Sequence, residues 1–186
     1  MMSDSLMSNS PTNISRVNIS LMANSMIMPD TMLRVVLSLW FFAFAAGSGA
    51  QSLPVAFDPA RDAAADVATA AKQAKAQGKR VLVDVGGEWC SWCHILDRFV
   101  AANADIRALR DANYVWVKVN WSKENKNEAL LSLWPKINGY PHFFVLDADG
   151  KLLHSQDTGS LESGKDYDHA KLGAFLKTWA PTGKGA

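Results

Sequence analysis

Cys90 and Cys93 are the chain's only cysteines, and two residues separate them in Trp89-Cys90-Ser91-Trp92-Cys93-His94. That spacing lets one sulfur attack a disulfide and the other release the product from the mixed disulfide that forms. A β-branched apolar run, Val81 to Val85, lies just before the pair. After it, Ile95, Leu96, Phe99 and Val100 recur at helical spacing. A helix starting near Cys90 would aim unpaired backbone N–H groups at its sulfur and favour the thiolate. Cys90 is therefore the expected attacking group, exposed at the helix start. Cys93 is the expected resolving thiol, one turn inward and less exposed. The rival is a purely structural disulfide between Cys90 and Cys93, but a two-residue loop staples little.

Other chemistries share these residues. Cys90 to His94 also spells C-x-x-C-H, the c-type haem attachment pattern, with His94 as axial ligand. Haem would need a pocket and a second ligand, and would leave Asp84 and the Gly139-Tyr140-Pro141 turn without a role. Structural zinc wants four ligands, and two cysteines with one adjacent histidine fall short. No metal and no diffusible cofactor is expected. His94 as a cation could stabilise a thiolate; a solvated helix histidine is the alternative. Trp89 and Trp92 flank the cysteines and suit a hydrophobic docking surface for extended protein substrates. For Trp89, packing into the scaffold explains the residue equally well; for Trp92, burial is the harder explanation.

The elements that must position these groups come from a chain of 186 residues, enough for one domain plus extras. A net charge of +1 favours neither nucleic acid nor an anionic membrane surface. The first thirty or so residues are rich in Ser, Asn and Met and have no usable period, so 1–31 reads as a disordered leader or an over-extended start. Residues 32–50 then give a basic Met32-Leu33-Arg34, an apolar run from Val35 to Ala46 and small residues ending Ser48-Gly49-Ala50. That is the pattern of a secretory signal peptide, with a mature domain over 51–186. An uncleaved anchor over 35–50 is the alternative, although a span needs about 20 apolar residues. Export to the periplasm or beyond would suit disulfide chemistry.

Within 51–186, Asp58-Pro59 reads as N-cap and first helical residue of an Ala-rich helix running to Gln77, stopped by Gly78. Val81 to Val85 is a strand, and a helix starts near Cys90. Asn103 to Ala112 is a second short helix or a continuation after a bend. Tyr114 to Asn120 alternates as a strand, Trp121 to Asn127 is a loop, and Glu128 to Trp134 is a short helix ended by Pro135. His142 to Leu146, the turn Asp147 to Gly150, and Lys151 to Ser155 read as a hairpin. Gln156 to Asp168 reads as a polar loop. Ala170 to Trp179 closes the domain as a helix. The order predicts an α/β fold with a central sheet covered by helices on both faces.

This order, with W-C-x-x-C opening a helix, resembles the thioredoxin fold from about Asp58 to Trp179. Asp84 stands six residues before Cys90, where thioredoxins carry a buried aspartate. Lys118 in Lys118-Val119-Asn120 resembles the family's strand lysine beside that aspartate. Gly139-Tyr140-Pro141 resembles its cis-proline loop. Among relatives the W-C-x-W-C-H site is most similar to secreted thioredoxin-like proteins. Ser91-Trp92, Gly86-Gly87 and His142 depart from ordinary thioredoxin.

The resemblance implies a three-layer fold with a central mixed sheet, and protein-disulfide oxidoreductase activity. Asp84, if buried, would have a raised pKa and could accept the Cys93 proton, with Lys118 modulating it. A cis Pro141 would turn the Tyr140 backbone toward a substrate strand, with His142 adjoining. The expected direction is reduction of protein disulfides by a monomer fed by a membrane electron donor. A disulfide oxidase or isomerase of the same fold is the alternative. A third possibility is an adaptor that docks proteins without turnover.

Overall fold

The structure is a computed structural model that describes residues 52–183. The leader, signal-peptide and anchor expectations for 1–50 lie outside those residues. The first helix, α1 (Ala63–Gln77), is capped by Asp62, whose Oδ1 accepts the N–H groups of Ala64 and Ala65 at 2.9 and 3.1 Å. Gly78 ends it in the left-handed region at φ 60°. The start expected at Asp58 is one turn early. The Asp58 carboxylate instead takes the Ala60 N–H at 2.8 Å and closes a turn of its own. Two aspartates four residues apart both suit a cap, and only backbone geometry separates them.

Strand β1 (Arg80–Gly86) is followed by α2 (Ser91–Ala102), α3 (Ala104–Asn113) and β2 (Tyr114–Asn120). Asn103 divides the two helices. Its N–H closes α2 on the Phe99 carbonyl at 3.1 Å, and its own carbonyl accepts the Arg107 N–H at 3.0 Å to open α3. A short helix α4 (Glu128–Leu131) precedes the hairpin β3 (His142–Leu146) and β4 (Leu152–Asp157). The sheet order is β2-β1-β3-β4, with β1 parallel to β2 and antiparallel to β3.

β1 is buried on both faces, which is why it reads as an apolar run. Val81, Val83 and Val85 pack with Val115, Val117, Val119 and Phe144 beneath the small Ala63, Ala70 and Ala74 of α1. Leu82 faces the other way, with Leu96, Val100, Ile106 and Phe143. The last helix, α5 (His169–Thr178), covers that second face through Leu172, Phe175 and Leu176. The result is a three-layer α/β fold with a mixed central sheet.

The region read as a polar loop, Gln156 to Asp168, is more ordered than that. β4 runs to Asp157, a 3-10 turn spans Thr158–Leu161, and β5 (Glu162–Ser163) pairs with β6 (Asp166–Tyr167) around Gly164 at φ 65°. Leu161 and Tyr167 anchor it in the core. Two apolar anchors in a polar stretch make too short a pattern to show a period. Among the described residues, no helix is long and apolar enough to cross a membrane.

Candidate active site

Cys90 is the N-cap of α2, so its sulfur sits where the helix's first N–H groups are unpaired. The Cys93 N–H points at Cys90 Sγ at 3.1 Å. The two cysteines form a disulfide, with sulfurs 2.11 Å and Cα atoms 5.3 Å apart. Cys93 is 1% exposed, as an inward thiol should be. Cys90 is 3% exposed, which corrects the expectation of an open sulfur. The cause is a small apolar cluster in which Phe57 packs on both cysteines and Trp92 and Tyr140 close in beside them.

Asp84 lies on the α2 face of β1, the alternate position to Val83 and Val85, and is fully buried. Its Oδ2 accepts the Lys118 ammonium at 3.0 Å and the Trp116 indole N–H at 3.2 Å. Its Oδ1 has no hydrogen-bond partner. Burial pushes the Asp84 carboxyl up, Lys118 pulls it down, and burial prevails. For Lys118, burial works to lower its pKa, but Asp84 and Asp97 outweigh that and raise it, so the ammonium stays charged. Lys118 Nζ also lies 2.8 Å from Asp97 Oδ1, making a buried cation shared by two carboxylates.

Asp97 escaped the sequence reading. It stands one helical turn after Cys93, on the same face, and that spacing was the available signal. The glycines before the motif also have a reason. A Cβ on Gly86 would stand 2.5 Å from Cys93 Sγ, and one on Gly87 would stand 2.3 Å from the Trp89 indole nitrogen.

Trp89 is 56% exposed, yet its indole N–H donates to the Trp121 carbonyl at 2.7 Å. Its ring meets Trp121 and Tyr140 edge-on, and those two stack at 5.0 Å. Trp92 is half-buried, its ring edge-on to Tyr167 at 5.7 Å. Packing therefore accounts for part of Trp92, through a segment that had read as loop. The Tyr140–Pro141 peptide is cis, and the Pro141 carbonyl accepts the Thr158 hydroxyl. His142 is buried, with Nε2 2.8 Å from Ser155 Oγ and its ring against Phe144; burial lowers its pKa, so it is neutral. His94 Nε2 lies 2.8 Å from the Glu88 carbonyl. Cys90, Cys93, Asp84, Lys118, Trp89, Trp92 and Tyr140 thus converge on one end of the sheet, while His142 turns into the interior. Among the described residues, no group of three His, Cys, Asp or Glu could hold a metal.

A Thioredoxin-like family model matches residues 62–148. The chain is 28% identical over 102 residues to the thiol:disulfide interchange protein DsbD of Colwellia psychrerythraea. It is 30% identical over 120 residues to the DsbD of Pseudomonas fluorescens. These alignments cover 54% and 63% of this chain but only 17% and 19% of the relatives, so the chain spans under a fifth of their length. A solved disulphide isomerase from Xylella fastidiosa Temecula1 superposes with a TM-score of 0.58 at 25% identity, covering 69% of this chain and 97% of the other.

Proposed function

The chain belongs to the thioredoxin-fold superfamily, and from that premise we propose that it is an exported thiol–disulfide oxidoreductase that reduces protein disulfides. The observation that carries this is a disulfide-bonded Cys90–Cys93 pair at a helix N-terminus, backed by a buried carboxyl with one unpartnered oxygen.

In the reducing direction, the Cys90 thiolate attacks one sulfur of a substrate disulfide. The S–S bond breaks, the other substrate sulfur leaves and takes a proton, and Cys90 is left in a mixed disulfide. Asp84 accepts the proton of the Cys93 thiol, and the Cys93 thiolate attacks Cys90 Sγ. The second substrate thiol departs with a proton, and the enzyme is left as the Cys90–Cys93 disulfide. Two electrons and two protons pass to the substrate, and an electron donor must restore the dithiol; a membrane reductase suits that role. Trp89, Trp92, Tyr140, Pro141 and His142 form the substrate side, Trp89, Trp92 and Tyr140 by surface contact and the buried Pro141 and His142 by seating the loop and strand behind them. The enzyme acts as a monomer. Residues 32–50 serve as the signal peptide, which places the domain in the periplasm or outside the cell.

The likeness to a disulphide isomerase supports a second reading, donation or shuffling of disulfides on the same residues. Equilibration of the full-length protein in glutathione buffers separates the two. A potential near about −270 mV means a reductase, and one near about −120 mV means a disulfide donor. A pair that never cycles overturns both.

A further inference from the structure

Phe57 belongs to no helix or strand, yet it is 2% exposed and packs on both cysteines. Its ring centroid lies 4.1 Å from Lys118 Nζ, which also meets Asp84 Oδ2 and Asp97 Oδ1 and has the Trp116 ring at 5.7 Å. An ammonium has three donor directions. Two are met by carboxylates, and the aromatic face of Phe57 stands beside the third, a cation–π contact. The Phe57 ring would also touch a Cβ on Gly86, at 2.9 Å, the same Cβ that would meet Cys93 Sγ. Phe57 therefore fills the space between Cys93 and Lys118.

The strap that carries it is pinned beside the active-site turn. The Phe57 N–H donates to Glu88 Oε1 at 3.0 Å. On one side of the strap, Pro54 and Val55 border a surface cavity of about 440 Å³ that reaches Lys118 and Asp97. On the other, Phe57 and Pro59 border a cavity of about 540 Å³ beside Trp89 and Trp121. The ring borders the second hollow and lies against Lys118, the cation bound to Asp84.

We propose that Phe57 is a positioning residue: its ring shields Asp84 and Cys93 on the side of the hollow beside Trp89 and Trp121, and thereby sets the pH at which Asp84 exchanges a proton with Cys93. The groups facing Asp84 are Lys118 and Trp116 from β2, Asp97 from α2, Phe143 from β3 and the buried Tyr167 from β6. Of these, Lys118 and Asp97 are the charged ones. Burial is the leading cause of the raised Asp84 pKa, so admitting water lowers it. This rests on the proposed role of Asp84, but its first test does not require turnover.

In the oxidised full-length protein, the carboxyl carbon of Asp84 is titrated by NMR in wild type, Phe57→Ala and Phe57→Leu. The Ala variant should bring the midpoint down by about one pH unit, and Leu should restore most of it. An unchanged midpoint in Phe57→Ala overturns the proposal. If Phe57→Ala does not fold, Phe57→Val is read in its place: an intermediate fall supports the seal, and no fall overturns it. In a disulfide-reduction assay, the pH profile of the Cys93 step should move by the same amount and direction. A midpoint that moves while no substrate is reduced keeps the seal and removes the oxidoreductase reading.

Discussion

Asp84 and Lys118 are register partners in the parallel β1–β2 ladder, and their side chains meet at 3.0 Å on the α2 face of the sheet. The pairing fixes a cation beside a carboxyl whose pKa burial raises and the cation partly draws back down. It leaves one oxygen, Oδ1, free to take a proton.

Replacing Asp84 by Asn keeps the shape and removes the base. Resolution of the mixed disulfide by Cys93 should slow by about 100-fold at neutral pH, while the first attack by Cys90 changes much less. Rapid-mixing kinetics with a fluorescent disulfide peptide reads both steps. Equal slowing of the two would take Asp84 out of the mechanism.

The same carboxyl ties stability to pH. The pKa of Asp84 is higher in the folded state than in the unfolded chain, so the folded state holds the proton longer. Its contribution is complete below the unfolded value of about 3.9 and is lost as pH rises through the folded value. The oxidised protein should lose stability on this account as pH climbs out of the carboxyl range, and Asp84→Asn should flatten that slope. Lys118 acts in a separate window. Its raised pKa gives stability that persists through neutral pH and is lost only above about 10.4. Urea midpoints measured across the pH range check both signs.

Gly86→Ala tests the closeness of strand and disulfide. Its methyl group would meet Cys93 Sγ and the Phe57 ring within contact distance. Overpacking of this kind costs about 1–3 kcal/mol, read as a lower urea midpoint with unchanged slope. A neutral effect would mean that Phe57 yields easily.

Cys93→Ser should accumulate a mixed disulfide on Cys90, visible by mass spectrometry of the intact protein, and Cys90→Ser should abolish turnover. Trapping through Cys93 in the Cys90→Ser protein, with none in the converse variant, would reverse the order of attack.

The two candidate caps of α1 make different predictions. Asp62→Ala removes two hydrogen bonds to the helix's first N–H groups and should cost about 1 kcal/mol. Asp58→Ala, on an exposed turn, should stay within about 0.5 kcal/mol. Thermal or urea unfolding of the two variants separates them.

Much of this site is written in local pattern. Val81 to Val85 shows a buried strand because both its faces are covered, and Cys90 shows a helix start because apolar positions follow it at helical spacing. The residues that resisted reading owe their roles to distant partners. Phe57 sits in an irregular strap and meets the cysteines only after the chain folds back. Asp97 looks like any charged helix residue until β2 brings Lys118 to it. Trp92 looked exposed because its partner, Tyr167, lies in a segment whose two-residue strands are below the length at which alternation shows. Asp58 and Asp62 carry the same capping chemistry, so residue type alone does not choose between them.

The sheet order has a consequence for biosynthesis. β1 is an interior strand, yet it is made before either neighbour, and β3 follows only after α2, α3, β2 and the segment that carries α4. Until His142–Leu146 leaves the ribosome, the valine-rich β1 has one bare hydrogen-bonding edge, the kind of template on which nascent chains associate. A chain halted before β3 should therefore need a holding chaperone, and completing the β3–β4 hairpin should release it.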